Sequence, residues 1–387
     1  MNKNIFCGRG CDLPHSRVMD LINLCFGRTE PDHLLDGLLP KCYREQYRPQ
    51  DSNYVIMDED GKLTAVVGAY DHEILVCGRR IPCRGIGNVG VHPDHRGLGY
   101  MKQAMDRALE DMIADGIALS TLGGRRQRYR YFGYDKAGPT YHFHISADSI
   151  RHNFGNRPAP FTVREVTDPA DPVIDEIRAL NAASPFVPLR ERGKYLDIAN
   201  TWKCSLLVFS EGGRFAGYCI KDAGNNVTEV QTVRAGDFSG LVLSLYGFVG
   251  GPYAIHLPAY QNDYAADLAP VAENMLQNCA MHFNVLDYRL VTEAFLALKL
   301  TYTPLPDGEL SLLIHGYARD ERIRISVKGG TPAVALLPDT EPVDLELSHL
   351  QAIELLFSPV SPARNTAPAP VGLWFPLPLW MYKADEV

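Results

Sequence analysis

The sequence predicts an α/β protein, α+β within its units, built of several domains, and three observations carry that prediction. A helical pattern near the N-terminus leads into a strand hairpin, a short strand at residue 87 runs through a glycine turn into an amphipathic helix, and near residue 170 the same order of elements starts again. At 387 residues the chain is also too long for one compact core, which divides it into two or three domains.

The elements follow in order. Ser16 to Cys25 reads as a helix with Val18, Leu21, Ile22 and Cys25 on one stripe, and a more irregular helical stretch runs from Leu34 to Tyr47. Tyr54–Met57 and Leu63–Ala69 form a hairpin around Asp58-Glu59-Asp60-Gly61-Lys62, and further strands are expected at Glu73–Cys77 and Gly87–Val91. The second region opens with a helix over Val173–Ala182, with Asp171 as its cap, and a hairpin of Ser205–Phe209 and Phe215–Lys221 turned by Glu211-Gly212-Gly213-Arg214. In the last ninety or so residues Leu310–Ile314 and Ile323, Ile325 and Val327 alternate as half-buried strands do, and Ser348 with Gln351 makes a capping box ahead of a helix. A Pro- and Ala-rich loop then delivers a tail with Trp374, Phe375, Leu377, Leu379, Trp380 and Tyr382, which is too apolar to stay in solvent.

Bulk composition excludes several classes. A net charge of -8 argues against a nucleic-acid partner, and an acidic balance suits amine substrates. No apolar run reads as a signal peptide or a membrane span, so a cytoplasmic protein is expected. Nine scattered cysteines make no disulfide framework, and no Cys or His cluster has zinc-site spacing, so no metal is expected.

The informative stretch is GNVGVHPDHRGLGYMKQAMDRALEDMI, residues 87–113. Val89-Gly90-Val91 is a buried strand stopped by Pro93, and Arg96-Gly97-Leu98-Gly99 is a turn whose glycines let several amides point at one anion. Met101, Ala104, Met105, Ala108, Leu109, Met112 and Ile113 recur at helical spacing, so the turn sits at the positive end of a helix, where a diphosphate binds well. Gly85-Ile86-Gly87-Asn88-Val89-Gly90 matches the dinucleotide fingerprint by letter. That reading fails because Val89, Val91 and Pro93 hold the chain extended where the fingerprint needs a helix, and no Gly-Lys-Ser/Thr P-loop occurs here.

The pattern V-x-P-x-x-R-G-x-G resembles the cofactor motif of the GNAT superfamily of N-acetyltransferases. The resemblance implies a mixed sheet splayed between its fourth and fifth strands, with acetyl-CoA as cosubstrate and no metal. Val89, Gly90 and Val91 would face the pantetheine and thioester, and the amides of Arg96, Gly97, Leu98, Gly99, Tyr100, Met101 and Lys102 would hold the diphosphate. Met101 departs from the superfamily's usual small residue. Tyr129-x-x-Phe132-Gly133-Tyr134 is similar to the element whose first tyrosine protonates departing coenzyme A, which makes Tyr129 the candidate acid. Arg125, Arg126, Arg128 and Arg130 beside it are either phosphate partners or a solvated face.

No carboxylate lies in residues 85–91 to act as base. The whole chain resembles the enhanced-intracellular-survival type of acetyltransferase, which implies a catalytic domain at 1–146, a second GNAT-like domain at 147–283, and a sterol-carrier-like domain at 284–387 whose tail returns to the active site. In that family the terminal carboxylate is the base, here that of Val387, with Asp385 or Glu386 as substitutes. Phe26, Glu30 and Asp32 are weaker candidates for the acceptor wall. The expected activity is transfer of an acetyl group to a primary amine of a small-molecule or peptide acceptor, and the resemblance allows assembly as a homo-oligomer; a non-catalytic acyl-CoA- or lipid-binding protein is the alternative.

Overall fold

The longest hairpin joins residues that the sequence reads as separate pieces. In the computed structural model, which describes residues 5–27, 35–362, 364 and 371–387, the strand that begins at Leu63 does not stop at Ala69 but continues to Val76. It turns at Cys77 and Gly78, both at positive φ (48° and 78°), and returns from Arg79 to Val91. A two-residue turn of this hand matches the twist of the flanking strands, so the hairpin needs no loop.

The chain opens with β1 (Phe6–Arg9) and α1 (His15–Phe26), whose Val18, Met19, Leu21 and Ile22 are buried. Two short helices, α2 (Leu35–Leu38) and α3 (Pro40–Tyr43), lie in the expected irregular stretch, of which Leu34 falls outside the described residues. Strands β2 (Asn53–Met57), β3 (Leu63–Val76) and β4 (Arg79–Val91) lead to α4 (Tyr100–Ala114), β5 (Leu119–Leu122), α5 (Arg126–Tyr129) and β6 (Asp135–Ile145). The middle of the chain holds α6 (Ala147–Phe154), β7 (Thr162–Glu165), α7 (Val173–Ala182), β8 (Phe186–Pro188), α8 (Tyr195–Ala199), β9 (Ser205–Glu211), β10 (Arg214–Lys221) and β11 (Asn226–Thr232). It continues through α9 (Phe238–Val249), β12 (Tyr253–Pro258), α10 (Asn262–Leu268) and β13 (Asn274–Val285). The last unit is α11 (Tyr288–Leu300), β14 (Gly308–His315), β15 (Asp320–Lys328), β16 (Thr331–Leu336), β17 (Leu345–Ser348) and α12 (His349–Phe357), the last opened by the Ser348–Gln351 capping box.

One 13-stranded sheet runs β1-β2-β3-β4-β5-β13-β6-β12-β11-β10-β9-β7, with β8 added beside β3. A separate four-stranded sheet is ordered β16-β15-β14-β17. Strand β13 spans the boundary expected at 283/284 and inserts between β5 and β6, pairing Phe283 with both Thr121 and Asp135. The first unit's sheet is therefore completed by a strand from much later in the chain, a long-range pairing that no local pattern announces.

Two parallel pairings in the large sheet are short. Strands β4 and β5 pair only from Cys83–Leu119 to Ile86–Leu122, after which β4 runs on to Val91 paired with β3 alone. Strands β11 and β12 pair only at Asn226–Ala254 and Val227–Ile255. The glycines of the dinucleotide-like pattern, Gly85, Gly87 and Gly90, all lie in extended β4, as Val89 and Pro93 require.

A bulge marks the point where β4 leaves its partner: the register shifts between Val66 and Gly68, opposite Asn88 at φ 36°. The Asn88 amide is held from both ends. Its Oδ1 accepts from the Tyr43 hydroxyl at 2.6 Å, and its Nδ2 donates to Asn53 Oδ1 at 2.7 Å. Asn53 in turn donates to the Tyr70 hydroxyl at 2.9 Å. Gly68 makes room for this network, since a Cβ there would lie 2.0 Å from Asn88 Oδ1. The apolar tail packs inside the molecule, with Trp374, Leu377 and Leu379 fully buried in a core shared with α11, α12 and β13.

Gly68→Ala is expected to destabilise the chain by about 1–3 kcal/mol through overpacking at the bulge. Urea denaturation reads this as a lower midpoint at constant slope, and an unchanged midpoint would remove the proposed role of the bulge.

Candidate active site

The turn before α4 faces open space. Gly97 and Gly99 sit at φ 82° and 79°, in the left-handed region that glycine enters without cost, and no heavy atom lies within 4 Å of a Cβ at either position. Gly99 caps α4, so the helix presents its unpaired amides at this bend. Beside it is a cavity of about 660 Å³. The β4 end supplies Val89, Gly90 and Val91 to its wall, and the turn and helix start supply His95, Arg96, Gly97, Gly99, Tyr100 and Met101. Cys25, Phe26, Arg125 and Arg128 complete it.

The helix lies rotated from its expected stripe. Tyr100 is buried with Ala104, Met105, Ala108, Leu109 and Met112, whereas Met101 is only partly buried and reaches the cavity, and Ile113 is 37% exposed. Leu98 projects outward, and the Lys102 ammonium pairs with Asp106 at 2.5 Å, so neither side chain lines the cavity. Both can take part in anion binding only through their backbone amides.

The arginine cluster divides into two pairs with different work. Arg126 and Arg130 both pair with the buried Asp135 carboxylate, Arg130 at 3.2 Å, and so fasten α5 to β6. Arg125 and Arg128 instead face the cavity, where with Arg96 they give it three cations in an otherwise acidic protein. Tyr129 follows directly, 7% exposed and packed under Gly124 in the cluster that holds Tyr100, Leu122 and Phe132. It is not among the cavity-lining residues. Burial raises its hydroxyl pKa despite the neighbouring Arg128, which keeps the proton on the phenol at neutral pH.

Cys25 also lines the cavity. Its sulfur would lie 3.0 Å from a Cβ at Gly90, inside the cavity wall, and burial raises its pKa in spite of Arg96. The thiol therefore keeps its proton at neutral pH.

The chain terminus reaches the same strand. A Cβ at Gly85 would lie 2.6 Å from Val387 Cγ2, and one at Gly87 would lie 3.1 Å from the terminal carboxyl carbon. The two glycines therefore clear space for the tail. Gly87 is two residues from Val89, roughly 7 Å along a strand, which puts the carboxylate close to the cavity wall. The neighbouring acids behave differently. Burial alone would raise the Asp385 carboxyl, but the Arg190 guanidinium, 2.9 and 2.7 Å from its oxygens, holds it below the usual range. Glu386 has no such partner, and burial pushes it up to about 7 against the pull of Lys383 and Lys41. His72 Cε1 would lie 3.6 Å from a Cβ at Gly85, and burial brings this imidazole down to about 4, so it is neutral at physiological pH.

Of the acceptor-wall candidates, Phe26 lines the cavity, and Glu30 and Asp32 lie outside the described residues. Lys41, His72 and Arg190 have no signal in the sequence, because what makes them notable is proximity to a tail far along the chain, 343 positions on for Lys41 and Ala384 and 195 for Arg190 and Asp385.

Residues 14–137 match the family model of the acetyltransferase (GNAT) domain. The chain carries a GNAT acetyltransferase domain, and it is an acyltransferase. Its fold extends over solved structures well beyond that domain. A probable N-acyltransferase of unknown function from Enterococcus faecalis V583 is 18% identical, with 91% of this chain and 90% of that chain aligned at a TM-score of 0.63. A GCN5-related N-acetyltransferase from Anabaena variabilis is 16% identical over 91% and 89% of the two chains, at a TM-score of 0.63. Eis1 from Mycobacterium abscessus is 14% identical over 91% and 89%, at a TM-score of 0.56. No curated protein matches by sequence. Among the described residues of this acyltransferase, no helix is long and apolar enough to cross a membrane.

Arg125→Ala and Arg128→Ala should each weaken coenzyme A binding about tenfold, as loss of a charge-assisted hydrogen bond does; unchanged calorimetric affinity in both would place the diphosphate elsewhere. Because Glu386 keeps its proton in the folded state up to about 7, its contribution to stability falls as pH rises from about 4.5 to 7. Relative to Glu386→Gln, the parent protein should thus melt comparatively lower at pH 8 than at pH 5, and parallel melting curves across that range would contradict the raised carboxyl.

Proposed function

We propose that the chain transfers an acetyl group from acetyl-CoA directly to a primary amine of a small-molecule or peptide acceptor. One arrangement carries this reading: a cavity walled by the end of β4, the glycine turn and Arg96, Arg125 and Arg128, with the chain's own terminal carboxylate standing on the same strand. The amides of residues 97 to 102 and the three guanidinium groups hold the diphosphate, and the β4 end past Ile86 offers backbone groups to the pantetheine arm. The acyl carbon then lies near Val89, within reach of an amine that approaches over Gly87.

The attacking amine adds to the thioester carbonyl and passes its proton to the Val387 carboxylate. Asp385 is committed to Arg190, which leaves Val387, with Glu386 as the second carboxyl of the same tail. Collapse of the adduct expels coenzyme A as a thiolate, which takes the Tyr129 proton. Positioning of the two reactants supplies most of the acceleration, and the tyrosine acid adds about 10²–10⁴-fold. We read the middle of the chain as a second GNAT-like unit and the last unit as a sterol-carrier-like scaffold for the tail. Support for the first comes from the repeated short parallel pairing, and for the second from the packing of the tail on α11 and α12.

A panel of amines followed by thiol release from acetyl-CoA tests the activity, and a protein that binds coenzyme A but releases no thiol with any amine would be a binding protein instead. One glycine added after Val387 should abolish turnover with coenzyme affinity intact; an active extended chain excludes the terminal carboxylate as base. Tyr129→Phe should lower the maximal rate about 10²–10⁴-fold at unchanged affinity, and an unchanged rate removes its acid role.

A further inference from the structure

Four consecutive residues of the tail are each tied to a different partner. The Tyr382 hydroxyl lies 2.5 Å from that of Tyr260, Lys383 pairs with Asp222 at 2.9 Å, Lys41 donates to the Ala384 carbonyl at 2.6 Å, and Arg190 grips the Asp385 carboxylate. Only Lys41 comes from the first unit. The other three belong to the middle of the chain, where the short β11–β12 pairing repeats the feature that opens the coenzyme cleft between β4 and β5.

Arg190 is the centre of this attachment. Its Nη1 and Nη2 donate to Glu229 on β11 at 2.9 and 2.7 Å, and its Nε and Nη2 donate to Asp385 at 2.9 and 2.7 Å. The side chains of Arg190 and Glu229 are 3% and 1% exposed. Glu229 also accepts from the Tyr218 hydroxyl at 2.6 Å, so the guanidinium has a fixed partner besides the tail. Buried ion pairs of this kind add little stability over apolar packing of the same volume, whereas a planar fork sets one geometry and no other. The apolar tail residues alone would tolerate slippage; the fork does not.

We propose that the middle unit serves acyl transfer by clamping the tail, with Arg190 and Glu229 as positioning residues that set where the Val387 carboxylate stands over Gly87. This rests on the reading of that carboxylate as the base. Asp385 is two residues from the terminus, so a shift at the fork passes almost directly to the reacting oxygen, and a displacement of about 1 Å at a catalytic group can cost on the order of 100-fold.

Asp385→Asn tests the clamp in the full-length protein, because Arg190 keeps Glu229 as a counter-charge and the fold has no unpaired buried ion to expel. The expected result is a kcat lower by about 10–100-fold, with unchanged coenzyme affinity by calorimetry and unchanged KM for acetyl-CoA, and recovery of most of the rate in Asp385→Glu. A purely structural role would instead lower coenzyme binding and melting temperature together. Should Asp385→Asn lose coenzyme affinity, Lys41→Met, which severs the bond to Ala384, carries the same test and the same expectation. Full kcat in whichever variant retains coenzyme binding overturns the clamp. The glycine-extended chain separates the two ideas: if it is inactive while the clamp variants are fully active, the base assignment stands and the clamp fails, and if it is active, the base assignment itself fails.

Discussion

The parting of β4 from β5 is the constraint on which the rest of the structure depends. Parallel strands hold together by slanted hydrogen bonds that a neighbour must continue, and here they stop at Ile86 and Leu122. Beyond that point β4 stays paired with β3, and the edge that β5 has left faces a cavity, where backbone groups on that edge need a ligand or water. The bulge at Asn88 bends the strand where it separates, and the amide network of Asn53, Asn88, Tyr43 and Tyr70 holds the bend. The cleft is thus a defect in a sheet that the surrounding side chains make permanent.

Glycine does three separate jobs within this small region. Gly97 and Gly99 adopt left-handed backbone angles in the turn that opens α4, and Gly68 leaves space for the Asn88 side chain. Gly85 and Gly87 have ordinary extended geometry, and their lack of a side chain instead admits Val387. This last use explains the dinucleotide-like spelling of Gly85 to Gly90 without any nucleotide: the glycines are spaced along a strand so that the chain's own end can lie on it.

The tail shows how a chain segment is fixed in place inside a fold. Its tryptophans and leucines supply burial, which fixes that the segment is inside but not where its last atoms stand. Direction comes from polar contacts, which are geometric, and these are concentrated in the four residues from Tyr382 to Asp385. Arg190 holds Asp385 below the usual carboxylate range while burial raises Glu386 next to it, so adjacent carboxyls take opposite characters through environment alone.

What the sequence by itself determined is local. The glycine turn, the α4 helix, the capping box at Ser348 and the Gly212-Gly213 hairpin all follow from residue spacing, because their hydrogen bonds join residues a few positions apart. The apolar character of residues 373–382 also made a buried tail legible. The fusion of two expected strands into β3 was not, since the Cys77-Gly78 turn lacks the usual Asn or Asp signal. Tertiary structure alone decided the rest: the insertion of β13 between β5 and β6, the division of the arginines between Asp135 and the cavity, the burial of Tyr129 beside Arg128, and the meeting of Arg190 with Asp385. Each depends on which surfaces meet once several hundred residues have packed, and a side chain's chemistry at such a place is set by neighbours that the linear order does not name.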